Sequence, residues 1–274
     1  FLDEGTNENV LQTKSKAILV DECEFIFTNH QKSCRCVYIK SHCNATIRGS
    51  NFTNPSLFGK EYGAGFKYSP ETGDSSNGDL LIDDCKFDFC EAYNGQSFFA
   101  EKISTPVKLR NTLFWHSTRD GFHFAIYYSG SSMITTIENC YFEHLTSDQT
   151  DGGGSGIWIA SQSKPINDAI IFDRCTFRNN SCIQTRNTNS GGGGIAVATG
   201  SGTLYNIALT FDSCYFINNS AKHNGGGLAI GVQKSVSILN TFFDGNEAGN
   251  KGGALYIING NENPPDAFIL IDSC

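Results

Sequence analysis

The chain has 274 residues, a formal net charge of −8, 39% hydrophobic residues, 29 glycines, 11 cysteines and 21 phenylalanines against one methionine. An acidic balance without a basic run or a basic–aromatic alternation excludes nucleic acid as a partner. No signal-like leader occurs and no apolar run is long enough to cross a membrane as a helix, so membrane attachment is expected only through parts outside this chain.

In chain order, one pattern returns from the first strand to the last. An apolar residue is followed by two turn residues, a small side chain and, two positions on, a phenylalanine: Val20–Cys23–Phe25, Ile47–Ser50–Phe52, Ile82–Cys85–Phe87 and Leu109–Thr112–Phe114. It continues as Ile137–Cys140–Phe142, Phe172–Cys175–Phe177, Phe211–Cys214–Phe216 and Ile238–Thr241–Phe243, and ends on Ile271 and Cys274. The eight phenylalanines are spaced 27, 35, 27, 28, 35, 39 and 27 residues apart. A repeat of that length built only of short strands and turns is a solenoid coil.

A second strand follows in each coil, with apolar residues two apart: Val37/Ile39, Phe66/Tyr68, Phe98/Ala100, Phe122/Phe124, Ile157/Ile159, Ile195/Val197, Leu228/Ile230 and Leu255/Ile257. This is the period-2 mark of a half-buried strand, and no window carries a sustained helical period. The expected fold is all-β, a right-handed parallel β-helix of about eight coils that rise about 4.8 Å each, forming one domain over residues 1–274. Glycine runs at 152–154, 191–194 and 225–227 sit too regularly to be linkers and serve the turns. Because solenoids cap their open ends, the chain is expected to be a piece of a longer protein.

Six cysteines (Cys23, Cys85, Cys140, Cys175, Cys214 and Cys274) share the small-residue position with Ser and Thr, where a thiol packs as a small hydrophobe. Coil spacing also permits disulfides between Cys140 and Cys175 or between Cys175 and Cys214. Cys34, Cys36, His42 and Cys43, with His30 nearby, fit no zinc spacing and point to a local disulfide. Glycosylation sequons stand at Asn44, Asn51, Asn179 and Asn218, the last two at the same place in successive coils. With the cysteines they favour a secreted, extracellular surface protein.

The segments Phe177-Arg-Asn-Asn180, Phe216-Ile-Asn-Asn219 and Phe243-Asp-Gly-Asn246 are FxxN motifs, each followed by a glycine motif at Gly192–Ile195, Gly225–Leu228 and Gly252–Leu255. The paired motif resembles the polymorphic membrane protein repeat of chlamydial autotransporter adhesins and of large protist surface proteins. That resemblance implies a β-helical stalk on a cell surface with an adhesive role. It is clean over residues 177–257; upstream, Thr28, Pro55, Cys90, Ser117 and Leu145 replace the asparagine.

Several constellations are candidates for function. The outward residues of the glycine-side strand include Phe99, His123 and Trp158 on three successive coils, an expected exposed stripe for stacking on sugars or anchoring a host-cell or matrix partner. The alternative is that an insertion loop covers it. On the turn side Asp21, Arg48, Asp83, Arg110 and Glu138 alternate in sign, which suits ion pairing. Glu138, Asp173 and Asp212 then bring three carboxylates together, which would bind either a cation or their own turns. His116, Arg119, Asp120 and His123 are the best cluster for polysaccharide cleavage, yet the flanking coils offer Gln96 and Ser155 where a second carboxylate is wanted. The sequence thus points to a non-catalytic surface rod without cofactor or metal. The alternatives are a carbohydrate-active enzyme with its site near Arg119–His123 and a purely structural spacer.

Overall fold

The computed structural model describes residues 9–13, 17–27, 35–40, 43–56, 63–69, 78–91, 97–103, 106–117, 124–128, 134–147, 157–161, 168–183, 191–197, 207–231, 235–258 and 268–274. Every strand among them pairs in parallel with its counterpart one coil away, so the chain winds as a parallel β-helix with three faces. The first face is a nine-stranded ladder from Asn9–Thr13 through Arg35–Ile39, Phe66–Tyr68, Phe98–Ile103, Phe124–Tyr128, Ile157–Ser161, Ile195–Val197 and Leu228–Gly231 to Leu255–Ile258. The second face, also nine-stranded, runs from Ala17–Asp21 to Phe268–Asp272, and the third runs from Glu24–Ile26 to Phe242–Asp244.

The recurring phenylalanine is the spine. Phe25, Phe52, Phe87, Phe114, Phe142, Phe177, Phe216 and Phe243 stand in register on the third face, with adjacent ring centroids 4.6–5.2 Å apart and planes within 2–8°. From the second face Phe172 and Phe211 stack on each other at 4.8 Å and meet the spine edge-on at 6.1 Å. Offset-stacked and edge-on rings are the favoured aromatic geometries, so each coil adds a favourable contact beyond its buried area.

Between the second and third faces every coil turns on a left-handed residue: Glu22, Gly49, Asp84, Asn111, Asn139, Arg174, Ser213, Asn240 and Ser273, with φ between 48° and 56°. For residues other than glycine that conformation costs about 1–2 kcal/mol. From Glu22 to Asn240 the structure offsets it by giving the turn amide a partner in the next coil, as in Asn139 N–H to Asp173 O at 2.8 Å and Arg174 N–H to Asp212 O at 2.9 Å. The small side chain follows this residue and closes the corner. Ser50 Oγ donates to Arg48 O at 2.8 Å and accepts from Cys23 N–H at 3.1 Å; Thr241 does the same to Leu239 O and from Cys214 N–H.

The thiols perform the donor half of that task. Cys175 Sγ donates to Ile137 O at 3.2 Å and Asp173 O at 3.4 Å, and Cys214 Sγ to Phe172 O at 3.5 Å. The expected disulfides between Cys140 and Cys175 or Cys175 and Cys214 are therefore corrected: these three are free thiols, each with its sulfur aimed at a backbone carbonyl, while Cys36 and Cys43 are buried. Cys34, His30 and His42 lie outside the described residues. Burial pushes the Cys85 thiol up to about 11 and raises Cys90 and Cys175 further; Cys214 is raised by its Cys175 neighbour and by burial. Burial of this kind disfavours the thiolate and with it nucleophilic reactivity.

The register of the first face differs from the sequence reading at two places. Leu11 pairs with Val37 and Thr13 with Ile39, which adds a strand ahead of the first expected one. In the fifth coil the residues aligned with Phe98 and Ala100 are Phe124 and Ile126, not Phe122 and Phe124. Phe-His-Phe-Ala-Ile satisfies period 2 in either frame, and only pairing with the neighbouring strands chooses between them.

Candidate functional site

That slip dissolves the expected stripe. The residue between Phe99 and Trp158 on the first face is Ala125, while His123 lies outside the described residues. Phe99 is 3% exposed, with Lys67 Nζ 5.5 Å from its ring centroid and 5.2 Å from that of Tyr38. The cation fills the rung between two rings and shields both. Trp158 keeps its place in the ladder between Ala125 and Ala196; its side chain lies outside the described residues.

Exposed aromatic surface lies instead on the third face. Strand alternation turns the residues on either side of each spine phenylalanine outward. Tyr141, Tyr215 and Phe242 each stand immediately before a spine residue and are 41%, 49% and 52% exposed. Thr176 shares their column, in register between Tyr141 and Tyr215. The column after the spine holds Asp88, Trp115, Glu143 and Arg178 on successive coils. Its charges are paired locally: Lys86 with Asp88 at 2.9 Å and Arg178 with Glu143 at 2.8 Å. The sequence signal for this face was present as the dipeptides Tyr141-Phe142, Tyr215-Phe216 and Phe242-Phe243.

At the edge of this face the chain bends through a second left-handed column: Asn54, Phe89, His116, His144, Asn179, Asn218 and Gly245, with φ from 43° to 60°. Phe89 and His116 stack at 5.1 Å, His116 and His144 at 5.1 Å, and His144 Nε2 lies 3.4 Å from Asn179 Nδ2. Trp115 leans on His116 at 4.0 Å, and Lys86 Nζ sits 4.8 Å over its indole. These rings lie against one another, yet Phe89, at the end of the row, is 46% exposed.

The next residue is the FxxN asparagine, and its role is structural. Asn180 Oδ1 accepts from Leu145 N–H at 3.0 Å while its Nδ2 donates to Phe142 O at 2.8 Å. Asn219 makes the same pair with Asn180 N–H at 3.1 Å and Phe177 O at 2.9 Å, and Asn246 with Asn219 N–H at 3.0 Å and Phe216 O at 2.7 Å. Each amide thus fastens its coil to the one before. The first glycine of the partner motif is equally constrained: Gly225 has φ 65°, and a Cβ there would stand 2.7 Å from Leu228 O.

On the second face the alternating charges pair across coils: Arg48 with Asp21 at 2.6 Å and Arg110 with Asp83 at 2.7 Å. The hydrogen-bonded Arg48 guanidinium holds the Asp21 carboxyl below its ordinary value; at Asp83 burial acts upward, but Arg110 and Asn111 outweigh it and the net shift is also downward. The carboxylates Glu138 and Asp173 share Arg174, at 2.5 and 2.7 Å, and Asp212 accepts from Asn240 Nδ2 at 3.0 Å. Turn groups and an arginine thus occupy the place suggested for a cation. Among the described residues no group of His, Cys, Asp or Glu is arranged to hold a metal.

Of the remaining sequence candidates, Arg119 and Asp120 lie outside the described residues. Asn44 is exposed and its Oδ1 accepts from Asp79 N–H at 3.0 Å; Asn51 is half-buried at the start of a third-face strand. Asn179 and Asn218 are exposed on neighbouring coils.

Residues 9–243 match the family model of the right handed beta helix region. The chain belongs to the right-handed β-helix family. Within this β-helix, residues 240–258 also match the Chlamydia polymorphic membrane protein repeat, which covers Phe243-Asp-Gly-Asn246 and the Gly252–Leu255 motif. No curated protein and no solved structure matches the chain.

Proposed function

We propose that this β-helix is the rigid display segment of a cell-surface, adhesin-type protein and that its third face is the contact surface. The observation that carries the reading is the column of exposed aromatic side chains, Tyr141 and Tyr215, continued by Phe242 on the last strand of the face, on a sheet braced by the phenylalanine spine. Side chains on so stiff a backbone lose little further freedom on binding, which favours recognition by preorganisation. The polymorphic membrane protein repeat at 240–258 supports a surface location, since that repeat family belongs to surface-exposed membrane proteins. The exposed sequons at Asn179 and Asn218 support an extracellular, glycosylated setting. Phe99 and Trp158 of the first face are not part of this surface.

The test is adhesion of the purified chain to cultured cells and to extracellular matrix, compared with a Tyr141→Ser, Tyr215→Ser, Phe242→Ser variant. Loss of adhesion with unchanged thermal unfolding is expected; equal adhesion by both proteins would remove the third face from the proposal.

One observation favours a catalytic reading. Asp88 and Glu143 face outward yet are only 8% and 9% exposed, and they lie two coils, about 10 Å, apart across Trp115. That backbone spacing lies just beyond the carboxyl separation of about 6.5–9.5 Å used by inverting glycoside hydrolases. Both carboxylates are engaged by Lys86 and Arg178, which favours the non-catalytic reading. Product release from polysaccharides that Asp88→Asn or Glu143→Gln abolishes would reverse the preference.

A further inference from the structure

We propose that the rung at Thr176 is a binding slot for one ring of an uncharged glycan, clasped between Tyr141 and Tyr215. This rests on the reading of the third face as the contact surface and names its ligand class.

The geometry begins with the register. Tyr141, Thr176 and Tyr215 are direct neighbours in one outward column, so the two tyrosines stand two rises, about 10 Å, apart. A ring placed midway lies about 5 Å from each, inside the window in which rings stack favourably. The protein uses the same separation within its core, where spine rings follow one another at 4.6–5.2 Å. Thr176 therefore marks a rung at which the outer column has no ring of its own. On its far side Tyr215 meets Phe242 at 6.4 Å with the ring planes tilted by 55°.

The chemistry around the rung selects the occupant. The slot offers the Thr176 hydroxyl and two phenols, with Glu143 and Arg178 beside it in the adjacent outward column. Those two are tied to each other at 2.8 Å, so they can hydrogen-bond to hydroxyls without presenting net charge. A polyanion finds its local guanidinium already paired. An apolar protein segment would want continuous hydrophobic surface, which Thr176 interrupts. A ring with apolar faces and a hydroxyl rim satisfies both the tyrosines and the polar pair.

The experiment is a titration of the intact chain with uncharged hexose and N-acetylhexosamine oligomers, alongside sulfated and sialylated oligomers. Binding of uncharged oligomers is expected, weakened about tenfold by Tyr141→Ser or by Tyr215→Ser. Thr176→Tyr supplies the missing ring from the protein itself; it should abolish glycan binding and leave thermal unfolding unchanged or shifted upward. Binding confined to acidic oligomers, binding to none, or full affinity in a folded Thr176→Tyr protein would overturn the slot. If adhesion to cells still depends on Tyr141 and Tyr215 while no glycan binds, the contact surface stands and the slot falls. If neither adhesion nor glycan binding depends on them, both fall.

Discussion

The coils from Phe177 to Leu255 and those from Phe52 to Leu145 keep the same path by different means. In the later coils the bend after the spine is fastened by amides, Asn180, Asn219 and Asn246, each accepting one backbone N–H and donating to one backbone carbonyl of the coil before. In the earlier coils Pro55, Cys90 and Leu145 occupy that place. The backbone pairing is nonetheless the same: Glu91 N–H donates to Pro55 O at 2.9 Å as Ser220 N–H does to Asn180 O at 2.8 Å, and the left-handed residue is kept in both regions. Cys90 shows why the amide can be given up. Its Sγ donates to Phe52 O at 3.8 Å, and Pro55 above it has no N–H that an amide oxygen could accept. A donor alone is sufficient there. The FxxN motif therefore records one solution to closing the coil, while the coil itself depends on the spine.

Removing a spine ring tests that hierarchy with the largest effect. Phe142→Ala, at the junction of the two regions, should cost about 3–5 kcal/mol in denaturant unfolding, and Phe87→Ala in the earlier region a similar amount. Asn219→Ala should separate the regions. It orphans the buried Asn180 N–H, at about 1–3 kcal/mol, and strips the Phe177 carbonyl of its side-chain donor, and hydrogen exchange should accelerate in residues 177–257 before it does upstream. Cys90→Asn sharpens the contrast from the other side: Pro55 offers its amide oxygen no backbone N–H, only the Ser97 hydroxyl is near, and stability should fall by about 1 kcal/mol. A rise in stability would show that the motif is portable.

The smallest effect belongs to the surface ion pairs. Asp83 has its folded-state carboxyl held below the ordinary value, so its contribution is present above the unfolded carboxylate pKa and is lost as pH falls through the folded one. Arg110→Ala should cost less than about 1 kcal/mol at neutral pH, less still at high salt, and should flatten the acid limb of a stability–pH curve. An unchanged acid limb would remove the pair from the account.

Much of the fold was legible because a β-helix stacks like on like. The Val20-to-Ile271 apolar positions, the small-residue corner and the spine recur as near-identities along the chain, since each must fit the same site one rise further on. The candidate site was legible only in part. The Tyr-Phe and Phe-Phe dipeptides mark the third-face column once the spine is known to face inward, whereas Phe99 looks exposed by alternation and is sheltered by Lys67 from the coil before.

The sequence alone determined the path of the coils, the inward residue of each third-face strand and the corner that must be small. These depend on local period and on repetition. Tertiary structure decided the frame of Phe124–Tyr128, the fate of the thiols and which outward rings keep an open face. A shift of two residues preserves alternation, a thiol has a disulfide and a carbonyl within its reach, and an outward ring is exposed only if no neighbouring coil covers it; each choice is made between coils.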